Sequence, residues 1–211
     1  MNTAYDPGCR RCPRLAGFLD DVRREHPAYF CKPVPSFGDP HARLLITGLA
    51  PGKHGANRSG RPFTGDFAGI LLYQTLYDQG LASGPASVSV DDGLCLRGAR
   101  ITNAVKCLPP DNKPLPVEIR TCNGFLKAEL AASPGVRVIL ALGLIAHAAV
   151  LRAHGLKAGA FRFGHAAEHR LSDDRVLVDS YHCSRYNTQT RRLTAAMFAA
   201  VVSRAVQLAA P

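Results

Sequence analysis

Two groups of residues stand out first by type and spacing. Cys9 and Cys12 form a C-x2-C, and Cys107 and Cys122 form a second pair with 14 residues between them. A C-x2-C puts two thiolates on one turn, where both reach one metal centre, and the second pair could close a four-thiolate site. Four thiolates suit zinc or a 4Fe-4S cluster, and spacing alone does not choose between them. Cys31, Cys95 and Cys183 read instead as scattered thiols. The second group is the segment 48–66, GLAPGKHGANRSGRPFTGD, with five glycines and two prolines. Glycine lets backbone approach a ligand closely, and successive N–H groups can cradle a phosphate. It is not a Walker A loop, because one residue is missing between the first glycines and His54 stands where Ser or Thr would meet magnesium. Asn57, Arg58, Arg61 and Asp66 make it more polar than a plain strand-to-helix connection needs.

Two further segments follow. In ITNAVKC, Asn103 ends a strand. Its amide offers a donor beside an acceptor, the complement of the O4 and N3–H edge of a uracil, and a turn-forming Asn is the other reading. In YHCSRYNTQTRRLT, His182 follows a strand and could donate to a leaving group. Ser184, Arg185, Thr188 and Gln189 resemble phosphate contacts, and Tyr186 could wedge into a base stack. Arg191 and Arg192 form a basic first turn, unfavourable against a helix dipole unless an anion is near.

The elements that must position these residues read as an alternation. Strands are expected at 42–47, 100–105, 136–143 and 176–180, and helices at 66–79, 117–132, 144–153 and 194–208. Asp66 is placed to cap its helix, with Phe67, Ile70, Leu71 and Leu76 on the apolar side. The connections 83–93, 108–116 and 182–189 read as polar or Pro-rich loops. Such alternation implies an α/β fold with a short, mostly parallel central sheet covered on both faces, and the loops after the strands gather on one rim. One domain, 1–211, suits the length, and 46% hydrophobic residues suffice for a core without staples.

The net charge of +10 points to a polyanionic partner, nucleic acid first. No apolar run is long enough to span a bilayer, and the polar, Arg-rich start lacks a signal peptide's apolar region, so a cytoplasmic monomer with no membrane contact is expected. Seven cysteines there argue for metal or reactive thiols over a disulfide framework.

Taken together, these segments resemble the uracil-DNA glycosylase superfamily, and most closely its type 5 branch. The 48–66 segment carries most of the likeness, and ITNAVKC, HCSRYNTQTRRLT and PVPSFGDP (33–40) follow in the family's order. The resemblance implies the three-layer α/β/α fold of that family and a DNA partner containing uracil or other deaminated bases. The implied reaction is monofunctional excision in base excision repair, for no Lys is placed for Schiff-base chemistry. A non-catalytic damaged-DNA-binding protein on the same fold is the alternative. The resemblance also implies a 4Fe-4S cluster on Cys9, Cys12, Cys107 and Cys122. It assigns acid–base work to Asp66, since the usual acid's place is Ala50. It gives His182 the base O2, Phe63 the stack on the flipped base, and Asn103 the base edge, with Gly48 and Ala50 lining the pocket. Arg58, Arg61, Ser184, Arg185, Tyr186, Asn187, Arg191 and Arg192 are the implied DNA contacts. The sequence departs from the pattern at Cys183, where Pro is usual, at Arg191, where Gly is common, and at Ser59, where Thr is common.

Overall fold

The computed structural model describes residues 5–210, so the ends of the expected 1–211 domain, residues 1–4 and 211, lie outside the described residues. Four strands form the parallel heart of one sheet: β2 (Leu44–Gly48), β3 (Ala99–Asn103), β4 (Val138–Leu142) and β6 (Val176–Ser180). Two short antiparallel edges flank them, β1 (Phe37–Gly38) and β5 (Glu168–Arg170), in the order β1-β3-β2-β4-β6-β5. The four central strands fall where the aliphatic runs predict. The edges are two and three residues long, too short for any period to show.

Helices cover both faces, and alternation along each strand decides which residue meets which layer. Leu44, Ile46, Leu140 and Val178 pack against α3 (Phe67–Asp78) and α7 (Ala195–Ala209). Leu45, Ile139 and Leu177 point the other way, into α4 (Pro116–Ala132) and α5 (Leu144–Ala153). The inward stripe of α3 is Gly69, Leu72, Tyr73 and Leu76; the expected apolar side is corrected there, since Ile70 is exposed. Counting from the true first turn, the i, i+3, i+4, i+7 spacing picks out that stripe.

Three helices escaped sequence reasoning. The first, α1 (Pro13–Glu25), buries Leu15, Ala16, Leu19 and Val22 at helical spacing, a stripe masked by the polar residues around it. The single-turn α2 (Ala56–Ser59) lies inside the glycine-rich loop. The segment 182–189, expected as loop, contains α6 (Arg185–Gln189), capped by Ser184 Oγ accepting from Asn187 N at 3.4 Å.

The chain passes from β2 to β3 on one side and returns to β4 on the other, so β2 and β4 flank a switch point. A crevice opens outside the carboxyl ends of the strands at such a point. Gly48 is in register with Asn103, and Leu142 with Ser180, so the loops after all four strands share that rim. Among the described residues, no helix is long and apolar enough to cross a membrane.

Candidate active site

A pocket of about 520 Å³ sits at this switch point. Its walls include Ala50, Phe63, Asp66, Asn103 and His182, brought together from three separate segments. Gly48 is where three of the parts interlock. A Cβ there would stand 2.5 Å from Asn103 Oδ1 and 2.6 Å from Phe63 Cζ, so only a glycine lets the Asn amide and the aromatic ring approach the end of β2. Phe63 itself has φ +56°, a left-handed backbone that costs a bulky residue roughly 1–2 kcal/mol. Its surroundings hold it there: Tyr73 Oη donates to the Pro62 carbonyl at 2.7 Å, and Gly69 has no side chain to strike the Phe63 carbonyl. Strain kept at such a point fits a side chain pre-aimed for a ligand. A Gly48→Ala substitution is expected to displace the amide or the ring by about 1 Å and to lower kcat/KM roughly 10²-fold, with the circular dichroism spectrum retained.

The His182 ring stacks against Phe63, centroids 6.0 Å apart and planes 27° apart. Burial pulls its pKa down to about 4, so the imidazole is neutral at pH 7. His182 Nδ1 and Asn103 Oδ1 are both buried without a hydrogen-bond partner in the protein. Buried polar atoms are almost always paired, so two orphans lining one pocket mark places where a ligand completes the bonding.

Asp66 is the N-cap of α3, and its Oδ1 accepts from Gly69 N at 2.9 Å. Gly55 admits the other oxygen, since a Cβ there would be 2.7 Å from Asp66 Oδ2. Burial raises the Asp66 pKa, against a smaller downward pull from the Gly69 and Ala68 amides. Among the residues lining the pocket it is the only carboxylate, and Ala50 lines the same wall without one. Capping and facing the pocket therefore coexist in one side chain.

The rim is basic and partly aromatic. Arg58, Arg185, Tyr186, Arg191 and Arg192 are exposed. Arg185 lies over the Phe67 ring at 4.9 Å and Arg192 over Tyr181 at 4.5 Å. Tyr186 is 70% exposed at the start of α6. Arg191 has φ +56°, which explains why a glycine suits that position. Ser184 lines the pocket while capping α6, and Asn187 Nδ2 donates to the His182 carbonyl at 2.8 Å, so Asn187 holds the histidine turn. Arg61 corrects the expectation of a DNA contact. It is buried over the Phe37 ring, and its guanidinium is consumed by Asp92 (2.7 Å), Ser87 (3.0 Å) and the Val90 carbonyl (2.6 Å). A buried guanidinium needs such pairing, and this one pins the 83–93 connection to the glycine-rich loop.

The pocket also has walls that sequence reasoning missed: Asn112, Gly143, Leu144 and Ile145. Asp111 and Asn112 both have positive φ, at 54° and 55°, and both are residue types that tolerate it. Leu144 opens α5 on the rim and is 60% exposed.

The family model for the uracil DNA glycosylase superfamily matches residues 35–205. The chain belongs to the uracil-DNA glycosylase superfamily. Its relatives place it in the type 5 branch. It is 50% identical over 206 residues to the type-5 uracil-DNA glycosylase of Thermus thermophilus, covering 95% of this chain and 94% of that protein. It is 43% identical to the type-5 enzyme of Pyrobaculum aerophilum, covering 93% and 87% of the two chains. The type-4 uracil-DNA glycosylase of Archaeoglobus fulgidus is 34% identical over 63% of this chain and 54% of its own length.

Apart from the pocket, this glycosylase-family fold gathers four thiols. Cys9 and Cys12 lead into α1, Cys107 lies four residues past Asn103, and Cys122 is on α4; all four pack with Leu15, Val105 and Phe125. Burial pushes the Cys107 thiol up to about 12, with further increments from Cys122, Cys9 and Cys12. Thiols that raise one another share a site that a cation would relieve. Lys106 N donates to Cys122 Sγ at 3.3 Å, and Arg11 lies over the Phe125 ring at 4.4 Å. The other cysteines stay apart: Cys95 is exposed, Cys31 accepts from Asn57, and Cys183 is fully buried.

Proposed function

We propose that the protein is a monofunctional DNA glycosylase that hydrolyses the N-glycosidic bond of uracil, and of other deaminated bases such as hypoxanthine and xanthine, in base excision repair. The carrying observation is the pocket's composition: one carboxylate, two orphaned polar groups and an aromatic ring line the same cavity. To reach the C1′–N bond the nucleotide must leave the duplex. Phe63 supplies the stacking face and Asn103 the base edge. As the bond breaks, electrons pass to the base, and neutral His182 donates a hydrogen bond to the growing oxyanion. Asp66 stabilises the sugar cation and takes the proton from the water whose oxygen bonds C1′. No lysine lines the pocket, and Lys106 Nζ is buried against Glu129 at 3.2 Å, so Schiff-base strand cleavage has no nucleophile there. A volume of about 520 Å³, mostly apolar, suits a two-ring base as well as uracil.

The four thiols fit a 4Fe-4S cluster. Zinc and a cluster both take four thiolates, and the likeness to the type 5 branch is what favours the cluster. A cluster there would tie α1 and the start of α4 to the loop after Asn103. In a Cys9→Ala variant the visible charge-transfer absorbance is expected to vanish and the melting temperature to fall by roughly 10 °C, as for a tether worth a few kcal/mol. Full stability and activity without the absorbance would refute that structural role.

The function is tested with labelled duplexes carrying one uracil or one hypoxanthine, incubated with cluster-bearing protein. Strand breaks that appear only after alkali are expected for both. Breaks without alkali would refute the monofunctional reading, and no product from either duplex would leave a damaged-DNA-binding protein instead.

A further inference from the structure

Away from the pocket, three side chains from three elements converge in the layer between the sheet and α5. His147 is on α5, His169 on β5 and Asp179 on β6, and one ligand atom from each lies within 4.8 Å of the others. Asp179 is fully buried. Its Oδ1 is 2.8 Å from His147 Nδ1 and its Oδ2 is 3.1 Å from His169 Nε2. Among the described residues no lysine or arginine pairs with it. A buried carboxylate with no cation beside it costs several kcal/mol, so positive charge must enter this cluster in some form.

The His147 ring sharpens the point. Its Nε2 faces the Phe161 carbonyl at 3.1 Å while its Nδ1 faces the carboxylate. A neutral imidazole has one N–H, so either tautomer leaves a ring lone pair aimed at an oxygen lone pair. A proton or a metal ion between Nδ1 and Asp179 removes the conflict. With Nε2–H given to a backbone carbonyl, His147 has the second hydrogen bond that metal-ligating histidines make, and Nδ1 is left as the donor. The His169 side chain is 14% exposed, which gives an ion a way in and a position for water.

We propose that His147, His169 and Asp179 form a binding site for a divalent first-row transition metal, zinc by preference, distinct from the cysteine site. Two imidazoles, a carboxylate and a water complete a tetrahedron, and the two His–Asp distances of 2.8 and 3.1 Å need to spread only to roughly 3.3 Å to accept bonds near 2.0 Å. The ion braces β6 against α5 and β5. Asp179 is three residues before His182, so the site steadies the strand that delivers the pocket histidine.

The test uses cluster-bearing protein exposed to zinc and then desalted. Zinc content is measured, and the zinc K-edge fine structure reads the ligands. About one zinc per chain is expected, with a nitrogen and oxygen shell near 2.0–2.1 Å and no sulfur shell. The His169→Ala variant, changed at a partly exposed edge strand, is expected to fold and to lose that zinc. No retained zinc, equal zinc in the variant, or a sulfur shell near 2.3 Å would each overturn the proposal. The parent's own ligand shell decides the matter even if the variant fails to fold.

Discussion

An Asp66→Asn variant is expected to melt at or slightly above the parent temperature and to lose roughly 10²–10⁴-fold in kcat on uracil-containing duplex. The two halves of that result have separate causes. The cap on α3 needs only an oxygen to accept from Gly69 N, and Asn caps as well as Asp. The proton acceptor needs the charge, which Asn lacks. Burial raises the Asp66 pKa, so its ionisation opposes folding: its stabilising share is complete at pH below 3.8 and is lost as pH rises through the raised value. Removing the charge therefore relieves the native state at neutral pH. An Asp66→Ala variant separates the roles, because it also loses the cap, worth about 1 kcal/mol. The parent's rate falls as pH drops through a value above 3.8, and in the Asn variant that limb is absent. Full kcat in a folded Asp66→Asn protein, measured by single-turnover excision, would remove Asp66 from the chemistry.

Replacing His182 by Ala is expected to lower kcat by roughly 10²–10³-fold with a much smaller change in KM, as for loss of one preorganised donor to a developing oxyanion. The donor must be neutral imidazole, and burial secures this by moving the pKa to about 4. A plot of rate against pH is therefore expected to show no histidine step near 6.5. Stability carries the complementary signature. The unfolded chain takes up a proton as pH falls below 6.5, while the native histidine stays neutral until about 4, so this side chain's stabilising share is lost progressively through that window. The His182→Ala protein is expected to lose less stability than the parent between those two pH values, read by urea melts at each pH. A kcat that falls as pH rises through about 6.5 would mean that a protonated imidazole does the work.

Much of this was legible in the chain itself. The four aliphatic runs and the amphipathic stretches behind them specify a parallel sheet with helices on both faces, because burial on two sides leaves a readable pattern. The glycine-rich loop, ITNAVKC and the histidine segment identify the pocket's parts, since each motif is contiguous and follows a strand. Contiguity is also why α1 was missed: its apolar stripe is interleaved with arginines and aspartates.

What local sequence does not encode is which segments meet, and there the tertiary structure decided. Gly48 is required because sheet register places Asn103 beside it and a strained Phe63 above it, three positions with no fixed spacing between them. Arg61 sits in a motif that reads as a phosphate contact, yet Asp92 lies 2.7 Å away and takes its charge into the interior. His147, His169 and Asp179 carry no motif at all; a helix, an edge strand and a central strand bring them together. Side-chain chemistry is written residue by residue, but burial and partnership depend on contacts between distant segments. Those two quantities set whether an arginine binds DNA, whether a histidine is neutral, and where a metal can bind.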